Sequence, residues 1–256
     1  LWPYARHGVK LVMLFLVVWT CFCLISSAYT LHLALLQAEE YARIQAGAVC
    51  EQDVAFHMWN ARVGGVYVPV STGVAPNPCP IVPVRTVETP AGTLTKIHPP
   101  LMNRLVHSSR SMREGVISGV VGLQNLQANT SIDSWERRKL QLITMDTTLT
   151  EVSERVVVNG NDSMRLLRPL VMEESCKSCH INGYTEGAVH GGVSVSVPMA
   201  PFVSLGMQSA YNALAIRLFL WLSGVAGIVS SMFLLKRRIG ERDKAEIQLR
   251  ALTRDL

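Results

Sequence analysis

The segment between residues 37 and 212 has almost no net charge and no excess of basic residues. It contains fourteen Lys and Arg against fifteen Asp and Glu, although the whole chain of 256 residues carries a formal charge of +5. The positive charge lies elsewhere: residues 1–36 contribute +2, Arg217 contributes +1 and residues 236–256 contribute +3. A protein that binds nucleic acid needs a basic surface to hold the phosphates. We therefore expect no nucleic-acid partner.

The chain also lacks a second pair of cysteines at metal-ligand spacing. Cys176 and Cys179 form the one Cys-x-x-Cys pair among six Cys, which excludes a zinc ribbon. Their flanks read as loop, not as the strand-to-helix turn of a thioredoxin-like redox pair. The sequence contains no paired acid–base constellation and no kinase, cyclase or methyl-accepting segment. We do not expect catalytic activity within these residues.

The run Cys176-Lys177-Ser178-Cys179-His180 matches the attachment pattern for c-type haem. Two thiols at this spacing reach the two vinyl groups of haem and form thioethers. The adjacent His then lies under the iron and provides the proximal ligand. The sequence therefore predicts one covalently attached haem c, bound through Cys176 and Cys179, with His180 on the iron.

Two apolar runs are long enough to cross a bilayer as helices: Val9 to about Leu36, and Ala213–Leu235. Arg6 and Lys10 precede the first run and Lys236-Arg237-Arg238 follow the second. Because basic residues favour the cytoplasmic side, both chain ends are predicted to lie in the cytoplasm. The attachment motif is then on the outer side of a bacterial inner membrane, in the periplasm, where haem is attached to such motifs.

The predicted organisation has four parts, with the lipid bilayer as an expected partner. They are a cytoplasmic N-terminus and first transmembrane helix at residues 1–36, an extracytoplasmic haem domain at 37–212, a second transmembrane helix at 213–235, and a cytoplasmic signalling-type helix at 236–256. A cleavable signal peptide is the alternative for the first span, because Ser26-Ser27-Ala28 resembles a cleavage site. Continued hydrophobicity as far as Leu36 favours an uncleaved span.

Within residues 37–212 the patterns indicate an α+β fold with a central, largely antiparallel sheet. A long helix is predicted over Leu33–Asn60, ending at Gly64-Gly65. Asp133 and Glu136 fit a helix start, and Asn159-Gly160 fits a hairpin turn. Gly192–Pro198 is predicted to be a strand with its three valines on one face.

Several further runs resemble a family of c-type haem sensor domains over about residues 40–200. They are Gly64-Gly65-Val66-Tyr67-Val68-Pro69 after Trp59, Asp133-Ser134-Trp135-Glu136, Leu167-Arg168-Pro169-Leu170, Gly183-Tyr184, and Gly191-Gly192-Val193-Ser194-Val195-Ser196-Val197-Pro198. Many relatives have His just before the double Gly, where this chain has Val63. The resemblance implies a PAS-like fold, in a family that often precedes histidine kinases, chemoreceptors or diguanylate cyclases in membrane-bound signalling proteins and that also occurs as stand-alone haem proteins. We expect a homodimer, because signalling helices that cross membranes are usually dimeric, and a cytoplasmic output domain or partner protein.

The second iron position is open to several side chains. Some relatives carry a distal thiolate ligand on the corresponding helix, which implies Cys50 in that role. His57 lies seven residues further on, within about 20° of the same helix face, and Met102 and His107 are further candidates. Cys50 could instead form a disulfide with Cys79. We expect a membrane-anchored haem sensor of redox state or of a small haem ligand; the alternative is a membrane-bound monohaem electron carrier.

Overall fold

A computed structural model of the chain describes residues 2–77, 84–123, 132–178 and 185–252. Contacts divide the chain into two compact units, one of Ala38–Val203 and the other of Leu1–Gln37 with Ser204–Leu256. In chain order the elements are α1 Trp2–Arg62, β1 Val66–Pro69, β2 Thr86–Thr89, β3 Gly92–Ile97, α2 Pro99–Glu114, β4 Ile117–Gly122, α3 Ser134–Met145, β5 Val152–Val158, β6 Asn161–Val171, a 3₁₀ helix Glu174–Ser178, β7 Val189–Pro198 and α4 Ala200–Leu252.

Helix α1 is longer than the helix predicted over Leu33–Asn60, because it continues without a break from the apolar run that precedes it. No proline occurs between Pro3 and Pro69, so nothing in the sequence interrupts the backbone hydrogen bonds. The predicted end at Gly64-Gly65 is confirmed. Both glycines have positive φ, 76° and 96°, and the Gly65 N–H donates to the Asn60 carbonyl at 2.9 Å. This left-handed backbone closes the helix.

The predicted α+β class with antiparallel strands is confirmed, but the strands form two sheets in the described part of the chain. One has the strand order β1-β3-β2 and the other the order β4-β7-β6-β5, with every pairing antiparallel. Strand β3 belongs to the smaller sheet, because it finds its partners locally. It pairs with β1 and with β2, a four-residue strand that sequence patterns did not indicate.

The four-stranded sheet is covered on both faces. Ala46, Val49 and Cys50 of α1 pack against Val193, Val195 and Val197 of β7 in one buried cluster. On the other face, Trp135, Leu140 and Ile143 of α3 pack against Val121 and Leu167. The prediction that the three β7 valines share a face is thus confirmed. Burial of both faces of the sheet supplies the core of this unit.

Two local signals from the sequence are confirmed in detail. The Asp133 carboxylate accepts from the Glu136 N–H at 2.9 Å, and the Glu136 carboxylate accepts from the Asp133 N–H at 3.2 Å, a reciprocal capping box at the start of α3. Asn159 and Gly160 have φ of 50° and 82° between the paired strands β5 and β6. Both residues adopt the left-handed backbone that a two-residue hairpin turn requires.

In the other unit, the N-terminal part of α1 packs against α4. Trp221 Nε1 donates to Thr20 Oγ1 at 3.1 Å. A Cβ on Gly224 would lie 2.9 Å from Trp19 Nε1, so glycine permits a close approach here. Both helices are long and apolar enough to cross a membrane, and their apolar windows are 0% buried. These features indicate membrane anchoring; the boundaries at residues 36, 212 and 235 stay predictions.

Candidate haem site

A cavity opens at the end of the four-stranded sheet, next to the last turns of α1. Its volume is about 200 Å³, and it is partly open to solvent. Its walls come from α1, the start of α2, β4, the end of β6, the 3₁₀ helix and the start of β7. The lining residues are His57, Met58, Pro100, Val120, Val121, Gly122, Leu170, Val171, Met172, Cys176, His190 and Gly191.

Glycines let the strands close tightly at the cavity wall. A Cβ on Gly191 would lie 2.3 Å from the Val121 carbonyl oxygen, closer than any real side chain tolerates. A Cβ on Gly192 would lie 2.9 Å from the Arg168 carbonyl oxygen. The Gly191-Gly192 pair therefore allows β7 to fit between β4 and β6 where these strands form the cavity wall.

Cys176 lies on the cavity wall, in the 3₁₀ helix Glu174–Ser178. Its backbone N–H donates to the Glu173 carbonyl at 2.9 Å, and its thiol is free and half-buried. The other two predicted attachment residues, Cys179 and His180, lie outside the described residues. The structure thus places the first thiol of the predicted motif at the edge of a mostly apolar cavity.

A family model described as Tll0287-like matches residues 35–198, which is more than half of the chain. The chain belongs to the Tll0287-like family. This family is associated with c-type haem, and the match agrees with the resemblance drawn from the sequence runs. No curated protein and no solved structure matches the chain.

The cavity of this Tll0287-like domain has the chemistry that a haem requires. Most of its lining is aliphatic, as suits a porphyrin face, and Cys176 provides a thiol at its edge. Two imidazoles, those of His57 and His190, are the basic side chains among the described lining residues. The residues present therefore fit the association of the family with c-type haem.

Cys50 is not on the cavity wall. It is fully buried, and its thiol donates to the Val193 carbonyl with Sγ 3.8 Å from the oxygen. Burial, opposed in part by the Arg168 cation, raises the pKa of the Cys50 thiol to about 12. Leu170 lines the cavity and also packs against the cluster that contains Cys50. Cys50 therefore belongs to a core cluster against which part of the cavity wall packs.

The other possible ligands divide into two groups. His57 lines the cavity, whereas Met102 and His107 make contacts between α1 and α2. Asn60 Nδ2 donates to Met102 Sδ at 3.1 Å, and His107 Nε2 lies 2.7 Å from Asp53 Oδ1. These contacts place half-buried Met102 and buried His107 between α1 and α2. The possible disulfide partner Cys79 lies outside the described residues, and Cys50 is a free thiol.

Sequence reasoning did not identify His190 as a site residue. Leu170 lies opposite Gly191 and Val171 lies opposite Val189, so β7 carries one residue more than β6 at this point. The extra residue is His190, in a β-bulge, and both His190 and Gly191 line the cavity. Bulges commonly re-aim a side chain next to a functional site. An isolated His before a double Gly gives no periodic signal that could have predicted this orientation.

The Asp133-Ser134-Trp135-Glu136 run supports the sheet from the face opposite α1. The Arg165 guanidinium donates to Asp133 Oδ2 at 2.5 Å and to Glu136 Oε1 at 2.8 Å. The same cation lies 4.4 Å from the centre of the Trp135 ring. The run therefore fixes α3 against β6, the strand that leads to the cavity. Trp59, in contrast, is 51% exposed and contributes little to the core.

Proposed function

We propose that the Tll0287-like domain carries one haem c and acts as a membrane-anchored sensor. The haem would be attached through Cys176 and Cys179, with His180 as the proximal ligand of the iron. The observation that carries this proposal is the position of Cys176, the first thiol of a complete attachment motif, on the wall of an apolar cavity in a chain of this family. When bound, haem supplies an iron that changes oxidation state or takes up a small ligand.

For the second iron position we propose Cys50. The helix that carries it also lines the cavity through His57 and Met58, and Leu170 of the cavity wall packs against the core cluster that contains Cys50. Because burial keeps the thiol protonated at neutral pH, ligation would have to remove its proton. Cys50 does not line the cavity, so a side chain of the wall would also have to move, and we propose Leu170 for this role. A bound thiolate would hold the reduction potential low, which suits a sensor more than a carrier.

A chain of ion pairs offers a route from the cavity wall to α1. Arg168, two residues before Leu170 on β6, donates to Glu151 at 2.7 Å. The other oxygen of Glu151 accepts from Arg43 of α1 at 3.1 Å. Closer to the membrane-anchoring segment, Arg155 bridges Asp162 and Glu39. We propose that a shift of Leu170 biases α1 between two positions through these contacts, as a population shift requires.

The signal would pass along α1 and α4 to the cytoplasmic side. Each of these helices is continuous from the domain into its apolar segment. An output domain or partner protein in the cytoplasm, and a second copy of the chain, remain part of the proposal. So does placement of the haem domain in the periplasm, which rests on the basic residues that flank the two apolar segments.

The proposal is tested on the full chain, produced in a bacterial host that attaches c-type haem and purified in detergent. Optical and EPR spectra of the oxidised and reduced protein, with and without CO or NO, report the iron ligands. We expect a low-spin thiolate signature that disappears in Cys50→Ala and persists in Cys21→Ala, a control in the other unit. An unchanged spectrum in Cys50→Ala would exclude the thiolate. A His/Met spectrum at high potential would favour the electron carrier.

A second measurement addresses sensing itself. Hydrogen exchange of the oxidised and reduced protein should differ in α1 between Ala38 and Arg62, because the proposed shift alters the contacts of this helix. Equal protection of this stretch in both oxidation states would mean that the haem does not move α1.

A further inference from the structure

His190 has a position that the proposed haem attachment does not use. It is the inserted residue of the β7 bulge, and it lines the cavity beside Gly191. In a regular strand, successive side chains point to opposite faces of the sheet. A β-bulge breaks this alternation, and bulges next to functional sites often re-aim a side chain. The bulge therefore places His190 on the cavity wall.

The described part of the cavity wall contains few side chains that can bind an anion. The titratable side chains among its described lining residues are His57 on α1, Cys176 in the 3₁₀ helix and His190 on β7. β4, β6 and the start of α2 contribute Val, Gly, Leu, Met and Pro, and neither Lys nor Arg belongs to the described wall. Among the described side chains of the wall, the imidazoles of His57 and His190 are the ones that can offer an anion a charged N–H donor.

A haem brings such anions with it, because each porphyrin carries two propionate carboxylates. A carboxylate that leaves water needs charged or N–H donors, and an imidazolium is a suitable one. We propose, resting on the function proposed above, that His190 binds a haem propionate and so links the charge of the iron to a proton on the protein.

The two imidazoles have different surroundings, which favours His190 for this role. His57 belongs to α1, the helix of the proposed iron ligand Cys50, and lies on the same face of that helix. His190 belongs to the sheet edge and is half-buried, and burial lowers the pKa of its imidazole. A neighbouring propionate would oppose that effect and favour the protonated form.

The linkage has a definite sign. Reduction adds one negative charge to the haem, which raises the pKa of a nearby imidazole and favours uptake of a proton. Raising the pH removes that proton, and the reduced haem then loses the stabilisation that the positive imidazolium provides. The midpoint potential should therefore fall as the pH rises through the two pKa values of His190, those of the oxidised and the reduced protein, and become level outside them.

The experiment is a redox titration of the full haem-loaded chain in detergent, followed optically between about pH 5.5 and 8.5, around the ordinary pKa of His. The wild type is compared with His190→Gln, His190→Leu and the control His98→Gln. His98 is also partly buried with a lowered pKa, and it contacts Asn77 away from the cavity. We expect a pH-dependent potential in the wild type and in His98→Gln, and a level one in both His190 variants, with unchanged visible spectra.

Three results would overturn the propionate assignment. These are a level potential in the wild type, a slope that persists in both His190 variants, or a change of spin state in those variants, which would make His190 an iron ligand. If one variant fails to fold, the other decides the question. The two substitutions preserve different properties of His190, since Gln retains an N–H donor and Leu retains the bulk of the side chain. Failure of the proposed function looks different: the wild type would then contain no covalently bound haem.

Discussion

Gly191 offers a sharp test of how the cavity wall is built. An added Cβ would lie 2.3 Å from the Val121 carbonyl oxygen and 3.1 Å from the Gly122 Cα, and both atoms are backbone, so no side chain can rotate away. Strand β7 would have to move away from β4. Overpacking of this kind costs about 1–3 kcal/mol, and the strand hydrogen bonds at the site add to the cost.

The matched control is Gly119→Ala on β4, where an added Cβ meets nothing within 4 Å. Alanine is the better strand residue, so this change should be neutral or should raise stability by about 0.5–1 kcal/mol. For a unit of this size, each kcal/mol shifts the midpoint of thermal unfolding by about 2–4 °C. We expect Gly191→Ala to melt about 2–12 °C below the wild type and Gly119→Ala to melt at or above it, as measured by circular dichroism in detergent. Equal midpoints for the two variants would refute the close packing of β7 on β4.

Two further predictions concern the Arg165 cluster. Arg165→Met leaves the mostly buried Glu136 carboxylate without its cation and should lower the free energy of unfolding in urea by about 3 kcal/mol. The exposed control Arg138→Met should stay within about 0.5 kcal/mol of the wild type. Similar losses in both variants would contradict this role of Arg165. Burial raises the pKa of Asp133, but hydrogen bonds from the Glu136 N–H and the Arg165 guanidinium outweigh it, so the net pKa lies below its usual range. Its contribution to stability is therefore present above the unfolded pKa of about 3.9 and is lost as the pH falls through the lower folded value. Asp133→Asn, which retains the cap but cannot ionise, should flatten the acid limb of a stability–pH profile, and an unchanged limb would contradict this account.

Local signals in the sequence predicted the elements that depend on local chemistry. Gly64-Gly65 ends α1 because both residues need positive φ, and Asp133 begins α3 because its carboxylate meets free backbone N–H groups. The Asn159-Gly160 turn follows from the same kind of preference. The attachment motif could also be predicted from the sequence, because all of its residues lie within five consecutive positions.

Features set by tertiary packing could not be predicted in the same way. The short strand β2 has no hydrophobic alternation of its own and exists because β3 pairs with it. The bulge at His190 follows from a register shift between Leu170 and Val171, which leaves no trace in residue periodicity. The burial of Cys50 in the core, away from the cavity wall, depends on how α1 crosses the sheet. Met102 contacts Asn60 and His107 contacts Asp53, and both partners lie far away in the sequence.

The central claim is that a haem is bonded to this polypeptide through the thiols of Cys176 and Cys179. Acid–acetone extraction of the haem-loaded chain tests it directly, because this treatment removes haem that is only ligated and leaves thioether-linked haem in place. We predict that the wild type keeps its colour on a denaturing gel and that Cys176→Ser/Cys179→Ser does not, whereas Cys21→Ala behaves as the wild type. Colourless wild-type protein after extraction would contradict the account.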